Sequence, residues 1–134
     1  MRKIPIFALF ALFFLAGCSS GPEIPPLCSR VWHPAGGPDT AELYLNPYGR
    51  AGGFTGNNSF FAPAVIGEKG ELTFGALMMT QSGGRHAEFE RRYIKVLGSV
   101  RSYRCDGAQL IFYDAGGREL MRFRGGAPLR RKEK

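Results

Sequence analysis

The first seventeen residues, MRKIPIFALFALFFLAG, constrain this chain more than any other stretch. Arg2 and Lys3 precede an uncharged apolar run from Ile4 to Ala16. That run is shorter than the ~20 apolar residues a helix needs to cross a bilayer. A basic start, a short apolar middle and small residues behind it describe a secretory signal peptide. Residues 1–17 are therefore set apart from the fold, and the remaining chain is expected to fold outside the cytoplasm.

The end of this segment carries a more specific pattern. Leu15, Ala16, Gly17 and Cys18 resemble the bacterial lipobox, in which the cysteine is lipidated and becomes the first residue of the mature chain. Cys18 is then the lipidation site. Several fatty chains on one residue anchor stably, where a single chain binds only marginally. The domain is expected to be tethered to a membrane without crossing it. Ser19 follows the cysteine. By resemblance to sorted bacterial lipoproteins, a residue other than Asp there implies the outer membrane, with the domain on the periplasmic face.

The chain has three Cys. With lipid on Cys18, Cys28 and Cys105 are left over in an oxidising compartment, where paired thiols persist. They are the disulfide candidate. The alternative is two buried free thiols packed as small hydrophobes.

From Cys18 onward 117 residues remain, enough for one domain with a modest core. Without Arg2 and Lys3 the net charge falls from +7 to +5. Residues 18–29, rich in Pro, are read as the lipidated cysteine and a spacer. Residues 30–124 are read as the domain. Residues 125–134 are read as a basic flexible tail, because Gly125, Gly126 and Pro128 break regular structure. Such a tail suits anionic lipid, lipopolysaccharide or peptidoglycan, or simply a solvated terminus. No nucleic acid partner is expected in this compartment.

Along the domain, residues 30–33, 41–46 and 50–54 read as strands, the last two joined through the Asn46-Pro47-Tyr48-Gly49 turn. Residues 62–66, 72–74 and, less clearly, 77–80 read as further short strands. Phe89, Tyr93, Val96, Leu97 and Val100 recur at helical spacing, predicting one main helix ending near Gly98, with Ser82 or Gly84 as its cap. Residues 101–105, 109–113 and 119–123 read as a three-strand meander, its first turn a type I′ at Asp106-Gly107. The fold class is α+β and β-rich: an antiparallel sheet or partly closed barrel with one helix packed on it.

The order of these blocks resembles the META domain of HslJ-type heat-shock lipoproteins. That family shows an E-x-x-F/Y-x-x-x-L helix, a G-x-x-L-x-L strand and a terminal G-x-x-L-x-F strand. Here these fall on Glu90, Tyr93 and Leu97; on Gly107, Leu110 and Phe112; and on Gly117, Leu120 and Phe123. Trp32 resembles the family's early Trp. Gly53, Gly56 and Asn58 resemble its G-x-x-G-C-N signature, and Thr80 the Thr of its T-x-M-A-C motif. Relatives often place cysteines in G-C-N and M-A-C. Asn57 and, by spacing, Gly84 stand there instead, which implies that any covalent staple in this chain lies elsewhere. The stretch GGFTGNNSFF is then a structural corner, with Phe60 and also Phe61 expected beneath it.

No catalytic constellation stands out. His33 and His86 lack metal-ligand spacing, so neither metal nor cofactor is expected. His33 is read as an edge-strand residue, His86 as a surface residue, and Glu90 as a partner for nearby arginines. The resemblance implies a non-enzymatic envelope lipoprotein, linked to envelope integrity and to heat or antibiotic stress, acting through an envelope partner. The alternative is a small-ligand binder with a cavity between helix and sheet, lined by Tyr44, Tyr48 and Phe60.

Overall fold

The structure, a computed structural model, describes residues 25–129. The signal peptide, Cys18 and residues 130–134 lie outside the described residues. Nine strands and one helix follow a short 3-10 turn at Pro26–Cys28: β1 (Arg30–Pro34), β2 (Glu42–Asn46), β3 (Arg50–Phe54), β4 (Ser59–Ile66), β5 (Leu72–Phe74), β6 (Met78–Met79), α1 (Ala87–Ser99), β7 (Ser102–Asp106), β8 (Gln109–Tyr113) and β9 (Glu119–Pro128).

Alternation sets the strands. In β4, Phe60, Ala62 and Ala64 are buried, whereas Phe61, Pro63 and Val65 are exposed. In β2, Leu43 and Leu45 point inward. This period of two places every second side chain on the core face. The strands run antiparallel in the order β5-β4-β3-β2-β1-β9-β8-β7, with β6 also pairing β4. The sheet curls until its edges nearly meet. The seam between β5 and β7 is held by a Glu71–Ser102 bridge and by Leu72 N–H to Arg101 O (3.0 Å) and Tyr103 N–H to Gly70 O (2.9 Å). The result is a nearly closed barrel, with the expected C-terminal meander.

Register separates two ends. The start of β1, the β2–β3 and β4–β5 turns and the end of β9 share one end, as the pairs Arg30–Pro128, Asn46–Arg50 and Ile66–Leu72 show. The β3–β4 turn lies at the other end, where His86, just before α1, reaches Gly56.

Helix α1 lays Tyr93, Val96 and Leu97 onto the sheet. Tyr93 meets Phe60 edge-on at 5.5 Å, and Phe112 packs on Phe123 at 4.7 Å. Trp32, fully buried, donates its indole N–H to Leu27 O (2.9 Å). Each such side chain contributes about 1.5–3 kcal/mol by leaving water.

Several sequence expectations shift. The domain starts earlier than residue 30, because Leu27 and Cys28 belong to the core. It ends later than 124, because Gly125–Pro128 continue β9 against β1. That pairing gives their backbone partners a loop would lack. His33 is not on an edge: β1 lies between β2 and β9, and His33 Nδ1 is 2.9 Å from Ala41 O. The β7–β8 loop is Gly107-Ala108, with positive φ at Gly107 alone (+59°), the type II′ rather than the I′ pattern. Phe61 is 58% exposed rather than packed beneath the corner. Helix α1 is preceded by His86 without a side-chain cap, not by Ser82 or Gly84.

Candidate functional site

The conspicuous polar cluster is built around the β3–β4 turn. Thr55 and Asn58 are the buried polar side chains among the described residues. Between them Gly56 has φ +103°, and a Cβ there would press on Pro38, so only glycine fits without strain. Gly53 is equally constrained: a Cβ would meet Glu42 O and the Phe60 ring. Thr55 Oγ1 accepts the amides of Asn57 (3.1 Å) and Asn58 (3.0 Å) and closes the turn.

Asn58 then reaches outward with all of its bonding capacity. Its Oδ1 accepts from Thr80 Oγ1 (3.0 Å) and the Ser82 amide (2.6 Å). Its Nδ2 donates to Ser82 O (3.0 Å) and to Glu90 Oε2 (2.8 Å). The same Glu90 oxygen accepts the Thr55 hydroxyl. Thr80 Oγ1 in turn accepts the Ser59 amide (3.1 Å). Three separate segments, the β3–β4 turn, the loop after β6 and α1, are thus latched by one network. A half-exposed carboxylate holding two donors resists movement of the helix relative to the turn.

Of the residues singled out in the sequence, Gly53, Gly56, Asn58, Thr80 and Glu90 converge here. Glu90 faces Thr55 and Asn58 instead of an arginine. Gly107 and Gly117 lie apart, each in a hairpin turn with positive φ (+59° and +81°). Leu97 is buried in the helix–sheet interface. Thr55 is the member that sequence reasoning passed over; its signal was the T-x-x-N spacing from Thr55 to Asn58 around Gly56, suited to a side-chain-closed turn.

An open groove of about 420 Å³ runs beside Asn58, Thr80, Ser82 and Glu90. No buried side-chain nitrogen or oxygen among the described residues lacks a partner. No group of three His, Cys, Asp or Glu side chains placed to hold a metal occurs among the described residues. Between helix and sheet, Trp32, Tyr93, Phe60, Phe112 and Phe123 fill the space, each at most 1% exposed. Phe60 is therefore a core residue and Tyr48 a surface one (88% exposed), so neither lines a cavity there.

Cys28 and Cys105 are free thiols in the structure, one buried and one half-buried, and the expected bridge is not formed. Burial pushes the Cys28 thiol up to about 11. Burial also raises Cys105, opposed by Arg30 and reinforced by Asp106.

The nearly closed antiparallel barrel with one covering helix and a polar latch at its corner defines a small β-barrel module. Residues 28–127 match the META domain, and the chain belongs to that family. Residues 1–19 match the prokaryotic membrane lipoprotein lipid attachment site, which marks a membrane-anchored lipoprotein. No curated protein is similar to the chain. The crystal structure of a DUF4847 family protein from Bacteroides vulgatus ATCC 8482 has the same fold, with TM-score 0.61 and 13% identity, covering 75% of this chain and 95% of that one.

Proposed function

We propose that this META-domain lipoprotein is a non-enzymatic module of the cell envelope. It is held at the periplasmic face of the outer membrane by lipid on Cys18, and it supports envelope integrity under heat or antibiotic stress by binding an envelope partner. The observation that carries the non-catalytic part is that Thr55, Asn58, Thr80 and Glu90 Oε2 are spent on bonds that hold the signature corner together. Glu90 Oε2 accepts two donors, from Thr55 and Asn58, which is a structural use of the carboxylate. The filled helix–sheet interface weighs against the small-ligand alternative.

The test is a deletion strain challenged by heat and by a novobiocin-type antibiotic. Wild-type chain should restore survival, and Cys18→Ala should not. Pull-down of the lipidated protein from envelope extracts, against a linker-only control, should retain a specific partner. Full survival of the deletion strain under both stresses removes the stress role. An empty pull-down removes the partner.

A further inference from the structure

The outer face of β3 and β4 carries an apolar patch that the core does not use. Tyr48 is 88% exposed, Met78 74%, Val65 68% and Phe61 58%. Phe61 pairs with Met78 across the strands, and Arg50 pairs with Pro63. Tyr48, Arg50, Phe61, Pro63 and Met78 line one open groove of about 590 Å³. Contiguous exposed apolar surface on a small domain marks something that covers it.

The position of the patch names the occupant. Tyr48, in the β2–β3 turn, and Val65, near the end of β4, belong to the barrel end where β1 begins. The chain enters the fold at that same end, at Pro26–Cys28 just before Arg30. From Cys18 to Pro25 there are seven residue steps, which reach at most about 25 Å when fully extended. That is roughly the length of an eight-residue strand. A lipid on Cys18 therefore keeps this end within about 25 Å of the bilayer. The end of β9 is there too: Arg30 pairs with Pro128, and Leu129 N–H bonds to Ser29 O (3.0 Å). The sequence continues as Arg130, Arg131, Lys132, Glu133 and Lys134, four cations and one acid. Exposed Tyr48 and Val65 at this end, Phe61 and Met78 farther along the same face, and a basic sequence after Leu129 are the components of an interfacial lipid contact.

We propose that this end of the barrel, with the neighbouring β3–β4 face, docks on the anionic bilayer surface as a second contact beside the lipid anchor. Tyr48, Val65, Phe61 and Met78 enter the interface, while Arg50 and the cations after Leu129 meet the headgroups. The proposal rests on lipid at Cys18, which fractionation of the full lipidated chain checks separately.

The experiment reconstitutes the lipidated full chain in phosphatidylethanolamine–phosphatidylglycerol vesicles containing a photoreactive phospholipid, and maps adducts by mass spectrometry. Adducts are expected at Tyr48, Phe61, Val65 and Met78, enriched at least about fivefold over Asn57, Ser82 and Gly116. The combined change Phe61→Ser, Val65→Ser and Met78→Ser alters only outward or half-exposed side chains and should abolish the enrichment while the anchor keeps the protein on vesicles. Raising salt to about 0.5 M should reduce labelling severalfold. Even labelling of both barrel ends overturns the proposal. So does enrichment that survives the triple change or the added salt. Cross-links to a second copy or to another protein in place of lipid adducts overturn it as well.

Discussion

The Asn57 side-chain oxygen occupies the space that a Cβ on Gly84 would fill, and the same oxygen accepts the His86 amide (3.3 Å). Spacing alone aligned these two positions with the two cysteine positions of the META resemblance; the structure puts them in contact. A polar contact thus stands where relatives often have two thiols. Changing both to Cys, as Asn57→Cys with Gly84→Cys, should form a bridge that closes a loop of fewer than thirty residues. Stabilisation of about 3 kcal/mol is expected. Thermal unfolding with and without reductant measures it; identical transitions show that the bridge does not form. Gly84→Ala alone should displace Asn57 and destabilise by about 1 kcal/mol.

Three glycines should respond differently to alanine. Gly56→Ala combines positive φ with pressure on Pro38, and a loss of about 2 kcal/mol is expected. Gly107→Ala meets nothing within 4 Å but keeps its positive φ, so about 1 kcal/mol is expected. Gly98 lies within α1 in open space, so Gly98→Ala should stabilise by about 0.5–1 kcal/mol. Urea unfolding of the three variants should give that order; a destabilised Gly98→Ala contradicts it.

Alkaline pH should weaken the fold. Burial raises the Cys28 thiol from its ordinary 9.0 to about 11, and burial with the Glu42 charge raises Tyr93 well above 10.0. Both groups therefore keep their protons longer when folded than when unfolded. The Cys28 contribution is complete below pH 9 and is lost as pH rises through 11, and that of Tyr93 is complete below pH 10 and is lost at higher pH. The melting temperature should be flat from pH 7 to about pH 9 and then fall. Cys28→Ala should reduce the slope above pH 9; an unchanged slope refutes the assignment to Cys28. At pH 8, alkylation should reach half-buried Cys105 before Cys28.

Much of the fold is legible in local pattern. The helix spacing of Tyr93, Val96 and Leu97 marks the face that α1 buries. The Asn46 turn is visible as Asn-Pro-Tyr-Gly, and its side chain does accept the Tyr48 and Arg50 amides. What local pattern hides is pairing at long range. Gly125 and Gly126 look like the start of a tail because nothing nearby in sequence explains them, yet β1 supplies their partner strand about ninety residues away. A Cβ at either would meet Arg30 or His33, which is why glycine stands there. Glu90 reads as a surface charge on its own helix; its partners Thr55 and Asn58 come from another element. Barrel closure and the latch both depend on such distant contacts.

The central claim is that the signature corner is a structural latch, and Asn58→Ala tests it most directly. The change leaves Glu90, Thr80 and the Ser82 backbone without bonds that Asn58 now makes. About 3 kcal/mol should be lost. For a domain of this size the urea midpoint should therefore fall by about 2 M, with the slope of the transition unchanged. An unchanged midpoint in a variant that no longer restores stress survival would contradict the account and make the corner a binding site.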